Sequence, residues 1–289
     1  MSVWLTIPSK RPPEEAGRVL KLWRERGYKI ALWRDEIPNF ACDFWTSGGP
    51  NYPGYAKAVN ALIEDLVKEY SDAEWFIAAG DDVEPDPNHS AEEIAAQCAD
   101  HFEGMFNESA KLCQGWSSEE RARIHLDRAI SKTLGVMQPT GDRWGEDRNS
   151  HAYRPHLTRG CCVQCGMFED APGHLVGAYI DRVCGSAWIG REFATRMYHG
   201  NGPLWPEYTH MFVDEELQLV AQKMGVLWQR PDLTQYHDHW GRPRAGEKVG
   251  NADRMPEFLK AANSPGQWQH AKDILTKRKA DGFPGSEPL

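Results

Sequence analysis

The chain has 289 residues, 33 basic and 42 acidic side chains and a net charge of −9, with 40% hydrophobic and 26% charged residues. This balance excludes a disordered chain and a broadly basic protein built to grip phosphate backbones, and the length is ample for a buried core. No apolar run approaches the ~20 residues of a membrane helix, the start Met1 to Pro8 lacks a basic leader, and seven unframed cysteines suit a reducing compartment, so a cytoplasmic protein without a membrane partner is expected.

In chain order, Val3 to Ile7 is a short apolar run closed by Pro8, which predicts a buried strand. Pro12-Pro13-Glu14-Glu15 opens a helix whose apolar positions Ala16, Val19, Leu20 and Trp23 share one face, and Gly27 stops it. Lys29 to Trp33 predicts a second strand, followed by a loop rich in Gly, Pro and aromatic residues from Ile37 to Tyr55. Val59, Leu62, Ile63, Leu66, Val67 and Tyr70 mark a second helix, and Glu74 to Ala79 a third strand running into Gly80-Asp81-Asp82. This β-α-β-α-β order predicts an α/β fold with a mostly parallel, Rossmann-like sheet flanked by helices. Ligands in such folds bind at the carboxyl ends of the strands, where Pro8-Ser9-Lys10, Arg34-Asp35 and Asp81-Asp82 should meet.

A capping box, Ser90 with Glu93, begins another helix carrying Ile94, Cys98, Phe102 and Met105. Residues 107–133 are polar and partly helical, Leu134 to Gln138 is a candidate strand, and 145–175 reads as irregular. Val176 to Ile180 is a further candidate strand, Glu215 to Met224 a helix closed by Gly225, and Val226 to Gln229 a short strand. The tail from about 241 is polar, with one or two short helices.

Two adjacent carboxylates at a strand end, Asp81 and Asp82, repel unless a cation sits between them, which points to a hard divalent ion; an Asp-rich turn or helix cap is the plain alternative. Asp214-Glu215-Glu216 complements a helix dipole but exceeds what capping requires. Lys10, Arg11, Arg34 and Lys57 lie on or beside the crevice loops, where they would face a leaving phosphate or simply solvent. Cys162-x-x-Cys165, with Cys161, His151 and His156 nearby, has the spacing of one structural Zn²⁺ knuckle, or is a set of free thiols. Twelve tryptophans are an excess that suits either core or stacking platforms. Trp23 and Trp75 read as core by periodicity, and Trp188, Trp205 and Trp240 as stacking candidates; Asp142-Arg143-Trp144 would reach sugar or acceptor.

The segment from Trp75 through Asp81-Asp82 to Asp86-Pro87 resembles the metal-binding motif of GT-A-fold nucleotide-sugar glycosyltransferases, especially the inverting family 2. Gly54-x-Ala56-x-Ala58-x-Asn60 is similar to the family's preceding helix, Gly185 to Gly190-Arg191 to its stretch before the acceptor helix, and Asp214-Glu215-Glu216-Leu217 to its acidic helix start. The resemblance covers about residues 2–240 and implies a catalytic domain there, with a nucleotide-binding part to about 90, an insertion over 91–175, an acceptor side over 176–240 and a helical tail or lid over 241–289. It implies that Pro8, Ser9 and Asp35 hold base and ribose, that Asp81 with Asp82 holds Mn²⁺ or Mg²⁺ on the diphosphate, and that Asp214 is the base, with Glu215 in reserve. It implies Arg191 on the acceptor side and a metal ligand from His237 or His239, which share a face if extended; a pair of loop histidines is the alternative. The sequence departs from the pattern at Ala79, where the first motif Asp belongs.

The partners implied are a nucleotide-sugar donor and an acceptor that is a glycan, a protein or a modified DNA base; the last would need Arg143, Arg148, Arg154 and Arg159 to form a basic patch. The rivals are a nucleotidyltransferase, disfavoured because Ser9-Lys10-Arg11-Pro12-Pro13 has no Gly, and an inactive domain of this fold that binds nucleotide or glycan. No dinucleotide, P-loop, zincin or serine-hydrolase motif is present.

Overall fold

The computed structural model describes residues 1–35, 38, 41–47, 52–112, 132–142, 185–242 and 252–286. Strands β1 (Ser2–Pro8), β2 (Lys29–Trp33), β3 (Phe44–Thr46), β4 (Ala73–Ala78), β6 (Val136–Pro139), β7 (Ala187–Gly190) and β8 (Leu227–Arg230) form one sheet in the order β3-β2-β1-β4-β7-β6-β8. Only β7 runs against its neighbours, pairing antiparallel with β4 and β6. The class is thus the mostly parallel α/β one expected. A second ladder pairs β5 (Val83–Glu84) with β9 (Tyr236–His237).

Helix α1 (Pro13–Glu25) starts with Pro in its first turn and buries Ala16, Val19, Leu20 and Trp23; Gly27, at φ 87°, ends it in a conformation side chains disfavour. The Trp23 indole N–H donates to the Val83 carbonyl at 2.7 Å, so the ring is both core and a tie to β5. Helix α2 (Tyr55–Glu69) buries Ala56, Val59, Leu62, Ile63 and Leu66. Helix α3 (Ala91–Leu112) begins at the expected capping box: the Ser90 N–H donates to Glu93 Oε2 at 2.8 Å and the Glu93 N–H to Ser90 Oγ at 3.2 Å. Helices α4 (Arg191–Arg196), α5 (Val213–Lys223), α6 (Glu257–Ala262) and α7 (Pro265–Ala280) follow. Ala271 and Leu275 of α7, with Phe283 beyond it, join the same core as β1 and β4. No described helix is long and apolar enough to cross a membrane.

Strands β3, β5, β7 and β9 were not expected from the sequence. Three of them have two or three residues of ladder, too few for alternation to register. β7 is a four-residue run closed by Gly190, too short to show alternation. Gly190 is there for space: a Cβ on it would stand 2.0 Å from the Thr133 carbonyl oxygen. Gly190→Ala is therefore expected to destabilise by about 3 kcal/mol in denaturant unfolding, the upper end of overpacking costs, because backbone cannot step aside as a side chain can. The candidate strand Val176–Ile180 lies outside the described residues.

Candidate functional site

The carboxyl ends of β1, β2 and β4 meet, as parallel neighbours must. Ser9 Oγ donates to Asp81 Oδ2 at 2.6 Å, and Arg34 Nη1 donates to Ser9 Oγ at 3.3 Å and to the Arg11 carbonyl at 3.1 Å. Arg11 Nε donates to Asp81 Oδ1 at 2.6 Å and its Nη2 to Asp82 Oδ2 at 3.1 Å. The cation that two adjacent carboxylates demand is thus present in the chain itself. Burial pushes the Asp81 carboxyl above its ordinary range, against the pull of Arg11 and Ser9. Burial acts on Asp82 too, but the hydrogen bond and charge of His237, with Arg11, hold it below that range. Ala79 is fully buried and only its carbonyl is engaged, by the Tyr55 hydroxyl at 3.3 Å, so the position that departs from the motif offers no ligand.

The His237-Asp238-His239-Trp240 arm is laid over this centre by the small ladder. Val83 pairs with His237, and the Asp238 N–H donates to the Asp82 carbonyl at 2.8 Å. Two further carboxylates fasten the arm. Asp142 Oδ2 accepts the His237 N–H at 3.0 Å and also Arg242 Nη2, and buried Asp86 accepts the Thr234 N–H at 2.8 Å. These ties bring His237 Nε2 to 3.4 Å from Asp82 Oδ1, with the His239 ring 5.1 Å from the His237 ring. Burial, with the charge of His237, lowers His239 to about 4, so its ring is a neutral imidazole at neutral pH. Asp82 faces His237 through Oδ1 while its Oδ2 accepts from Arg11. Asp81 is not available while Arg11 and Ser9 hold it, and among the described residues no three His, Cys, Asp or Glu side chains stand together in a metal-holding set.

A second acidic centre is the first turn of α5. Asp214 is half-buried, its Oδ1 accepts the Glu215 N–H at 3.0 Å, and a Cβ on Gly185 would lie 3.8 Å from its Oδ2. Burial raises its carboxyl above the ordinary range, against backbone N–H groups and the charges of His210 and His237. His210, not singled out from the sequence, is lowered by burial and lies within electrostatic reach of both Asp214 and Asp82. Tyr55 feels the same two carboxylates, and its ring is 6.4 Å from that of His210. The available signal was a histidine four residues before Asp214.

A cavity of about 390 Å³ opens beside Asp81 and Asp82, between α1 and the segment after β9, and Trp240 lines it. Its walls carry five carboxylates (Glu15, Asp81, Asp82, Glu84, Asp238) against three guanidiniums (Arg11, Arg18, Arg254).

No family model and no curated protein sequence matches the chain. Among solved structures it is similar to the catalytic domain of Drosophila beta1,4galactosyltransferase 7 in complex with xylobiose. There it shares 12% identity over 86% of this chain and 74% of that one, with a TM-score of 0.41. It is also similar to a glycosyltransferase involved in glycosylation of the major capsid of PBCV-1, with 7% identity over 67% of this chain and 61% of that one and a TM-score of 0.27.

Several expected site residues stand elsewhere. Trp188 is fully buried in β7, in register with Ile77 and Met137, so it is core and not a stacking platform. Trp205 is half-buried with the Arg278 guanidinium 3.5 Å from its ring centroid, which covers a face a sugar would need. Arg191 does not reach the acceptor side. Its guanidinium donates to the carbonyls of Val67, Tyr70 and Ala73 at 2.8–2.9 Å, closing the end of α2, which a local reading of sequence cannot see. Arg191→Ala is accordingly expected to lower the melting temperature, read by thermal unfolding. Asp142 positions the His237 backbone instead of reaching for substrate, and Glu216 points into the core. Pro8 ends the β1–β2 ladder opposite Trp33, while Lys10, Asp35 and Lys57 are exposed. Glu215 is half-buried beside Asp214. Arg143, Trp144, Arg148, Arg154, Arg159, His151, His156, Cys161, Cys162 and Cys165 lie outside the described residues.

Proposed function

We propose that the chain is a nucleotide-sugar-dependent glycosyltransferase of the GT-A kind that transfers with inversion. The observation that carries this reading is a pair of acidic centres, at the β4 end and at the start of α5, coupled through His210 and Tyr55. Asp81-Asp82 lies at the β4 end under the His237 arm, and Asp214 opens α5, near enough that His210, Tyr55 and His237 feel its charge.

The division of labour follows from charge. The cavity walls hold more carboxylates than guanidiniums, so a diphosphate enters only with added positive charge. Asp82 and His237 would hold Mn²⁺ or Mg²⁺, a hard ion that takes one or two protein ligands and completes its shell with phosphate oxygens and water. When bound, the ion supplies Lewis-acid stabilisation of the leaving diphosphate. Arg11 and Arg34, already at the strand ends, would add charge to the same oxygens, and Ser9 fixes the β1 end that they flank.

Asp214 is the base. Its raised carboxyl takes the proton of the acceptor hydroxyl as that oxygen bonds to the anomeric carbon, and the bond from that carbon to the diphosphate oxygen breaks on the opposite face. A single displacement of this kind inverts the anomeric centre.

The test is incubation of the protein with UDP-, GDP- and TDP-sugars with and without Mn²⁺. Nucleoside diphosphate release with Mn²⁺ is the expected result. Pyrophosphate release would mark a nucleotidyltransferase, and binding without release an inactive binding domain.

A further inference from the structure

All four non-glycine residues with left-handed backbone among the described residues gather at one junction: Tyr198 (φ 50°), His199 (60°), Phe212 (65°) and Phe283 (58°). Such conformations are unfavourable for residues with a Cβ and persist only where the surroundings over-determine them. What over-determines them is the seating of the C-terminal segment on the start of α5. The Tyr198 N–H donates to the Gly285 carbonyl at 2.7 Å, the Phe283 N–H to the Arg278 carbonyl at 2.7 Å, and the Phe212 ring lies 5.4 Å from that of Trp268 on α7. Lys223, at the other end of α5, donates to the Gly282 carbonyl at 2.5 Å.

The centre of this junction is a buried ion pair with every partner in place. Arg278 Nε donates to both Glu216 oxygens at 2.7 and 2.9 Å, and the hydroxyls of Tyr198 and Tyr208 each donate to one of them at 2.8 Å. Glu216 is 1% exposed and Arg278 6%, with the guanidinium stacked on Trp205. Glu216 follows Asp214 by two positions. At about 100° per residue the two side chains leave α5 on nearly opposite sides, Glu216 into the core and Asp214 away from it. Tyr208 carries the constraint further. The next residue, Thr209, accepts the Tyr55 N–H through its carbonyl at 2.7 Å, and His210 follows.

We propose that Glu216 and Arg278 are positioning residues for Asp214 and His210, so that the C-terminal helix is part of the catalytic apparatus. The inference rests on the reading of Asp214 as the base. Glu216 fixes the rotation of the first turn of α5 and the path of the 208–210 segment together, and Arg278 holds its carboxylate in place through both oxygens. Neither residue touches substrate. Both should therefore act on the chemical step and leave donor binding, built from β1, β2 and β4, alone.

The experiment is steady-state hydrolysis of Mn²⁺-UDP-glucose, Mn²⁺-UDP-galactose and Mn²⁺-GDP-mannose by the wild type, Glu216→Gln, Arg278→Lys and Asp214→Asn, at a temperature where circular dichroism shows each fully folded. For the donor that the wild type turns over fastest, Glu216→Gln is expected to lose at least tenfold in kcat with donor KM within twofold. Arg278→Lys, which keeps the charge but not the fork, should fall between it and the wild type. Should Glu216→Gln fail to fold, Arg278→Lys alone carries the test. The inference is overturned if both variants keep wild-type kcat, or if kcat and KM change in parallel, while Asp214→Asn is inactive. If Asp214→Asn itself keeps full turnover, the reading of Asp214 as the base fails and this inference with it.

Discussion

Asp214→Asn is expected to lower nucleotide-sugar turnover by roughly 10²–10⁴-fold, the range supplied by a positioned general base. The fold should survive, because Asn can accept the same Glu215 N–H that Asp214 Oδ1 accepts at 3.0 Å, and the Glu216–Arg278 pair is untouched. Donor KM should hold, since the strand-end groups Ser9, Arg11 and Arg34 are unaltered. Wild-type activity should also carry an acid limb displaced upward. A base works only when ionised, and burial raises the Asp214 carboxyl above the ordinary carboxylate range against the opposing charges of His210 and His237. Activity is thus lost as pH falls through that raised value, earlier than for an exposed Asp. A pH–rate profile of kcat whose acid limb sits in the ordinary carboxylate range would remove Asp214 from the role.

The second large effect is expected at Arg11, and its sign depends on the cation. Without divalent metal, Arg11→Gln leaves the buried Asp81 without its counter-charge and Asp82 with His237 alone, and breaking one side of such a pair costs about 3–5 kcal/mol. With Mn²⁺ the order should change. The ion meets two carboxylates that no guanidinium neutralises, so it should bind the variant at least tenfold more tightly than the wild type. Ligand at about a hundredfold its Kd returns about 2.7 kcal/mol of the lost stability. Thermal unfolding in chelator and in Mn²⁺, with direct Mn²⁺ titration, reads both halves. Equal Mn²⁺ stabilisation of wild type and variant would show that Arg11 does not stand where the cation goes.

Much of the fold could be read in sequence wherever the signal was local. Val3 to Ile7, Lys29 to Trp33 and Glu74 to Ala79 are apolar runs bounded by turn residues, and they fall on β1, β2 and β4. The stripe Ala16, Val19, Leu20, Trp23 with Gly27 after it gave α1, and Ser90 with Glu93 gave the start of α3. The meeting of Ser9, Arg34 and Asp81 followed from strand direction alone, since parallel neighbours put their carboxyl ends on one edge. Contacts that join distant segments were not legible. Arg11 and Asp81 lie 70 residues apart, Arg278 and Glu216 62, and Arg191 and Val67 124. In each case an arginine serves a partner that no local pattern announces, and two of them, Arg11 and Arg191, look like ligand-binding residues in sequence. The tryptophans show the same division. Periodicity placed Trp23 and Trp75 correctly in the core, but Trp188 sits in a four-residue strand with no helix-like stripe to mark it. Trp205 is occupied by Arg278, and Trp240 alone of the late three lines the cavity beside Asp82.

The most direct measurement is to identify what leaves a nucleotide sugar. With UDP-, GDP- and TDP-sugars and Mn²⁺, chromatography of the products should show nucleoside diphosphate and free sugar for at least one donor, dependent on Mn²⁺ and lost in Asp214→Asn. Pyrophosphate among the products, or no release from any donor by a folded protein that binds Mn²⁺, would contradict a glycosyl transfer built on Asp82, His237 and Asp214.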